Sequence, residues 1–135
     1  MLAGIGASYN PFVARSYNII VPVPLHIGRL RWRGFNQSLL LAQAIGEKEK
    51  IAVDPFLLER TRSTTPQTQL SEKERKNNVR GAFTVSDPER LQDTCVLLID
   101  DVYTSGATVN ECARVLRRGG ATAIDVFTLA RAVIQ

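Results

Sequence analysis

Two cysteines and one histidine in 135 residues are too few for a stapled or metallated scaffold. Cys95 and Cys112 stand alone rather than in a C-x-x-C pair, so neither a disulfide framework nor a zinc site is expected. Cys95 opens an apolar run and Cys112 sits on the apolar face of a helix, which predicts two buried thiols. No apolar run approaches the ~20 residues that span a bilayer, so no membrane insertion is expected. The start, Met1 to Gly6, lacks the basic segment of a secretory signal, and the expected location is cytoplasmic. There is no G-x-x-x-x-G-K-[ST], which removes support for a P-loop nucleotidase. Gly4 to Tyr9 matches half of a dinucleotide fingerprint, but the third glycine and a preceding strand are missing. Repeats and low-complexity stretches are also absent.

What remains is an ordinary globular composition, 44% hydrophobic and 22% charged, in a chain long enough for one domain. The net charge is +4. That excess suits an acidic ligand such as a pyrophosphate and equally permits weak nucleic-acid contact.

The organising stretch is Val96 to Thr108, V-L-L-I-D-D-V-Y-T-S-G-A-T. Val96 to Ile99 is a continuous apolar run, the pattern of a central parallel strand covered on both faces. Asp100 and Asp101 point to opposite sides of such a strand, and burying an unpaired carboxylate costs several kcal/mol. The pair is therefore placed at the strand's carboxyl end, where open α/β sheets bind ligands. Thr104, Ser105, Gly106, Ala107 and Thr108 carry only small side chains, so their amides are free to close around a phosphate. Val109, Cys112, Ala113 and Leu116 then begin helical spacing, which sets that phosphate on a helix N-terminus. Acids beside an anion cradle would repel the phosphate, so their natural partners are sugar hydroxyls. The bland alternative is a strand–turn–helix connection with exposed acids at the cap.

Upstream, Ile19 to Val21 reads as a short strand ended by Pro22-Val23-Pro24-Leu25-His26. Three arginines, Arg29, Arg31 and Arg33, flank Trp32, as a nucleic-acid patch, a phosphate clamp or a solvated basic turn. A helix is expected from Asn36 to Glu47, with Leu40, Leu41, Ala44 and Ile45 as its core-facing stripe. Phe56 to Leu58 and Ala82 to Val85 read as strands. Between them, residues 60–81 are polar, the mark of a lid or a disordered segment, although Ser71-x-x-Glu74 predicts a short capped helix through Asn77. The helix after the central motif should end at Arg117-Arg118-Gly119-Gly120, with a left-handed glycine cap. Ala123 to Ala130 is the last strand, and alternating strands and helices give an α/β fold with a mainly parallel twisted sheet flanked by helices.

The central motif resembles the phosphoribosyl-pyrophosphate signature of type I phosphoribosyltransferases. With Val21-Pro22-Val23-Pro24-Leu25-His26 and Arg33-Gly34-Phe35-Asn36-Gln37, the chain is similar to their ComF branch, the competence-associated proteins. The resemblance covers most of residues 19–130. It implies that Asp100 and Asp101 bind ribose hydroxyls and stabilise a cationic transition state, and that Thr104 to Thr108 hold the 5′-phosphate. It puts Val23, Pro24, Leu25 and His26 in the pyrophosphate loop, with free amides facing the diphosphate, and brings Arg33, Asn36 and Gln37 near the site. Arg60, Arg62, Gln67 and Arg75 match the polar pattern of the family's mobile loop, about residues 60–81. Mg²⁺ is implied as cofactor, bound through the substrate rather than by protein ligands, and a homodimer and a link to DNA-uptake machinery are implied as partners.

ComF-type chains usually begin with a cysteine zinc ribbon and a further segment. Residues 1–18 contain neither, and the extensions that form the acceptor-selecting hood are short. Three functions follow: an active phosphoribosyltransferase with an unidentified acceptor, a non-catalytic sugar-phosphate-binding regulator or competence accessory protein, and a basic adaptor using Arg29 to Arg33.

Overall fold

The computed structural model describes residues 16–25, 36–61, 71–103 and 106–131. Its centre is β4, Cys95–Tyr103, paired in parallel on one side with β1, Ile19–Pro22, and on the other with β5, Ala123–Arg131. The strand is nine residues long, so both aspartates lie within it rather than beyond its end. The reason is unequal neighbours: β1 pairs only as far as Ile99, whereas β5 continues the ladder to Tyr103. Asp100 and Asp101 therefore stand in the half of β4 that only β5 flanks as a strand.

The alternation of β4 side chains builds two cores. Val96 and Leu98 join Ile19, Val21, Val109, Cys112 and Leu116 on one face. Leu97 and Ile99 join Ile20, Ala42 and Ile45 on the other. This double cover is why the strand is apolar without interruption.

Among the described residues two helices pack on this sheet, α1, Gln37–Glu49, and α3, Ala107–Arg118, and the helix between them, α2, Glu72–Val79, packs on α3. In α1 the stripe expected from Leu40, Leu41, Ala44 and Ile45 is rotated. Ser38, Ala42, Ile45 and Gly46 are buried, while Leu40 is 52% exposed and Ala44 is exposed. The cause is close packing. A Cβ on Gly46 would lie 2.5 Å from Val53 Cγ2 and 2.8 Å from the Ile51 carbonyl oxygen, so small side chains take the inner face.

A second, antiparallel pair joins β2, Leu58–Arg60, to β3, Phe83–Val85. The strand expected at Phe56 starts two residues later because Asp54 Oδ1 accepts the Phe56 N–H at 2.9 Å, an Asx-type turn. Phe56 consequently stands 75% exposed. Asp54 itself is buried and paired with Arg90.

The Ser71–Glu74 capping box forms, with Ser71 Oγ accepting from the Glu74 N–H and the Ser71 N–H donating to Glu74 Oε1. Helix α2 runs to Val79, which is buried and packs in the same core as α3. The polar segment 60–81 thus contains a strand end and a packed helix; residues 62–70 lie outside the described residues. At the end of α3, Gly119 keeps right-handed backbone (φ −75°) and the positive φ falls on Gly120 (φ 124°). Cys112 is fully buried, but Cys95 is only half-buried, since it opens β4 at the sheet's rim. Among the described residues no helix is long and apolar enough to cross a membrane.

Candidate functional site

The carboxyl end of β4 is approached by the N-termini of two helices. Asn36 caps α1: its Oδ1 accepts from the Ser38 and Leu39 N–H groups. Its Nδ2 donates to the Val23 carbonyl at 3.2 Å, tying this cap to the chain leaving β1. One turn inward, the buried Ser38 hydroxyl donates to Asp100 Oδ1 at 3.3 Å. The same oxygen accepts the Asp101 N–H at 2.9 Å. Asn36, Val23, Ser38 and Asp100 are thus linked around one corner.

Burial raises the Asp100 carboxyl to about 6, and the adjacent Asp101 charge pushes the same way; the Ser38 and Asp101 N–H bonds offset this only in part. Near neutral pH, Asp100 is a mostly ionised carboxylate held at a cost. Its charge is also felt by the Cys112 thiol inside α3, which burial already drives far above the normal range. Arg60 acts on that thiol in the opposite sense.

Helix α3 opens at Gly106, whose φ of 82° is left-handed. An L side chain there would be strained, so glycine is favoured at the bend. Its carbonyl accepts from Asn110 N–H at 2.8 Å, the first bond of the helix. The amides of Thr108 and Val109 precede that first donor and have no acceptor within the helix. Gly106 and Ala107 are buried and Thr108 half-buried, so the bend is set into the protein rather than displayed on it.

The other expected site residues divide. Val23 is buried and its N–H is committed to the Ile99 carbonyl at 2.8 Å, continuing the β1–β4 ladder. The expectation of a free amide there is corrected. Pro24 has no N–H to offer, leaving Leu25 as the first described amide beyond the ladder. Gln37 is half-buried in the first turn of α1. Arg60 ends β2, with its guanidinium carbon 4.7 Å from the centre of the Phe83 ring. Arg75 lies in the middle of α2. His26, Arg33, Arg62, Gln67, Thr104 and Ser105 fall outside the described residues.

Two residues escaped the sequence reading. Ser38 is concealed because a serine beside a helix cap is commonplace. Glu111 is buried on α3 and grips Arg114 with both oxygens, at 2.9 Å to Nε and 2.6 Å to Nη2. It also accepts the Gly81 N–H at 3.1 Å, fastening the α2–β3 link to α3. Arg114 and, less strongly, the Gly81 N–H hold its carboxyl below the usual range against the cost of burial. An E-x-x-R spacing on a helix was the available signal.

No protein-family model matches the chain. Among curated proteins it is 42% identical over 112 residues to the DNA utilization protein YhgH of Escherichia coli, covering 83% of this chain and 48% of that protein. It is 38% identical over 114 residues to competence protein F of Haemophilus influenzae, covering 84% and 50%, and 30% identical over 114 residues to the competence protein ComFC of Bacillus subtilis, covering 84% and 44%. The chain spans about half the length of these relatives or less. Among solved structures, the glutamine phosphoribosylpyrophosphate amidotransferase of B. subtilis superposes with a TM-score of 0.58 at 21% identity, over 86% of this chain and 23% of that one. A second amidotransferase-fold neighbour, described as the allosteric regulatory enzyme of purine biosynthesis, has the same TM-score at 22% identity. The chain is thus a homologue of the DNA utilization and competence proteins, built on the type I phosphoribosyltransferase fold.

Proposed function

We propose that the chain binds phosphoribosyl pyrophosphate and transfers its phosphoribosyl group to an acceptor, releasing pyrophosphate. The observation that carries this reading is a costly carboxylate at the carboxyl end of β4, a few residues before a helix N-terminus that opens on a left-handed glycine. A phosphate on that N-terminus gains directed N–H bonds and a dipole contribution of about 0.3–1 kcal/mol. The ribose would then lie over Asp100 and Asp101, whose oxygens accept its hydroxyls.

In the transfer, the bond from the anomeric carbon to pyrophosphate breaks and the leaving group takes the electron pair. The acceptor's lone pair forms the new bond at the same carbon. Positive charge grows on the sugar between these events, and preorganised carboxylates stabilise it. An Asp100 carboxyl near 6 suits this role, being mostly ionised at neutral pH while its charge is opposed by burial and by Asp101.

Among the described residues no group of three or more His, Cys, Asp or Glu is placed to hold a metal ion. The Asp100 carboxylate, carried at a cost, nonetheless fits Mg²⁺ entering on the substrate's phosphates. Bound there, it would neutralise phosphate charge while keeping most of its water ligands.

Calorimetric titration with phosphoribosyl pyrophosphate, with and without Mg²⁺, tests the binding. Saturable, Mg²⁺-dependent heat is expected; its absence overturns the reading. The names of the relatives favour a second function on the same site, a sugar-phosphate-binding accessory in DNA uptake that does not turn over. Pyrophosphate release with a panel of bases and amines separates the two: release supports transfer, and binding without release supports the accessory.

A further inference from the structure

A groove runs between α2 and α3, from Ala107 at the start of α3 to Arg118 at its end. It consists of two adjoining cavities of about 560 and 500 Å³ that share Asn110, Arg114 and Arg118. Among the described residues its walls carry Lys76, Arg80, Arg114, Arg117 and Arg118 against one carboxylate, Glu111. That is a local excess of four positive charges, as many as the net charge of the chain.

Lys76, Arg117 and Arg118 are exposed. Glu111 occupies Nε and Nη2 of Arg114, fixing the guanidinium in the wall while leaving most of its five N–H donors. The α2–β3 link is pinned to α3 through Gly81 and Glu111, and Val79 anchors α2 in the core. The two walls are therefore held in register by the fold. Helix α3 has twelve residues and a length of about 18 Å, so the cations extend over several ångströms rather than converging on one point.

We propose that this groove binds the phosphodiester backbone of a nucleic acid, without regard to sequence. An extended row of fixed and flexible cations in an open groove suits a chain of regularly spaced phosphates better than a compact anion. No aromatic residue lines it among the described residues, which leaves no platform for stacking bases. Recognition would then be electrostatic, with the salt dependence that counterion release imposes. The groove meets the proposed sugar-phosphate site at Ala107, while its cations lie on α2, the link after it and the flank of α3.

The test is fluorescence anisotropy with a labelled mixed-sequence single strand, its duplex, and a polyglutamate peptide of equal charge, each titrated between about 50 and 200 mM salt. Three phosphate contacts predict a loss of about 10- to 50-fold in affinity across that range. The Lys76→Ser/Arg117→Ser/Arg118→Ser variant should bind at least tenfold more weakly, with the salt slope reduced by about two to three. Arg117→Lys/Arg118→Lys should keep most of the slope. Preference for single strand or duplex identifies the source of the backbone, and either supports the groove. An unchanged slope and affinity in the triple serine variant, or polyglutamate bound as tightly as nucleic acid, overturns it. Phosphoribosyl pyrophosphate titration of the same variant should match the parent, so failure at the groove and failure at the sugar-phosphate site are read separately.

Discussion

Asp100 and Glu111 are both carboxylates beside α3, and the protein treats them in opposite ways. Asp100 at the end of β4 is raised to about 6 by burial and by a second acid, and the hydrogen bonds it accepts from the Ser38 hydroxyl and the Asp101 N–H come from neutral donors. Glu111 on the helix flank is lowered by Arg114, which holds it with two bonds. One charge is carried at a cost that a ligand can repay; the other is already satisfied and acts as a fastener. The two regions would also hold phosphate differently. The proposed sugar-phosphate site offers a helix N-terminus behind a glycine bend, whereas the groove offers side-chain charge. The first depends on backbone shape and the second on ionic strength.

The most damaging change to the sugar-phosphate site is expected to be Gly106→Val. A branched side chain at φ 82° strains the bend and fills the space above α3's first amides. Affinity for phosphoribosyl pyrophosphate should fall by about 100-fold or more, roughly the 2.7 kcal/mol that a lost cradle represents, measured by calorimetry. Parent-like affinity would remove the phosphate from this bend.

Replacing both acids, Asp100→Asn with Asp101→Asn, should weaken the same ligand by at least about tenfold, or 1.4 kcal/mol. The Asp100→Asn change alone sharpens the contrast with Glu111 because stability should move the other way. A folded carboxyl raised above its unfolded value binds a proton more readily in the folded state, so its contribution to stability falls as pH rises from about 4 to 6. The amide removes that cost and should stabilise the protein at pH 7 by about 1–2 kcal/mol, while flattening the dependence across this window. Thermal unfolding at pH 5 and pH 7 is the measurement; equal pH profiles for parent and variant would show that Asp100 carries no such cost.

At Glu111 the sign reverses. Its lowered carboxyl contributes stability above its unfolded value that is lost as pH falls through the folded one. Glu111→Gln should cost about 1 kcal/mol at pH 7, a modest figure because Arg114 is 47% exposed and solvent screens the pair. Ligand affinity at the sugar-phosphate site should be unchanged. The smallest expected effect is Ser38→Ala, at about 0.5–1 kcal/mol in unfolding experiments. Because the lost hydroxyl lowered the Asp100 carboxyl, the pH midpoint of ligand binding should shift upward.

The alternation of strands and helices, the capping box at Ser71 and the aspartates beside a small-residue bend were all readable in order along the chain. They rest on local chemistry: apolar continuity, a serine three residues before a glutamate, and a bend whose geometry favours glycine. The rotated face of α1 was not readable, because a leucine-rich stripe outweighs Ser38, Ala42 and Gly46 until the distance between helix and sheet is known. The strand start at Leu58 was missed because Asp54 captures the Phe56 amide. The Val23 amide was misjudged because its partner, Ile99, lies 76 positions away.

Short-range pattern alone establishes which segments of this chain become strands and helices and where a small-residue bend follows two acids. Whether those acids are comfortable, which amides are already spent, and how five cations gather on one flank depend on neighbours distant in sequence. Burial, charge separation and hydrogen-bond occupancy are properties of assembled surfaces, and no residue possesses them before the chain has folded.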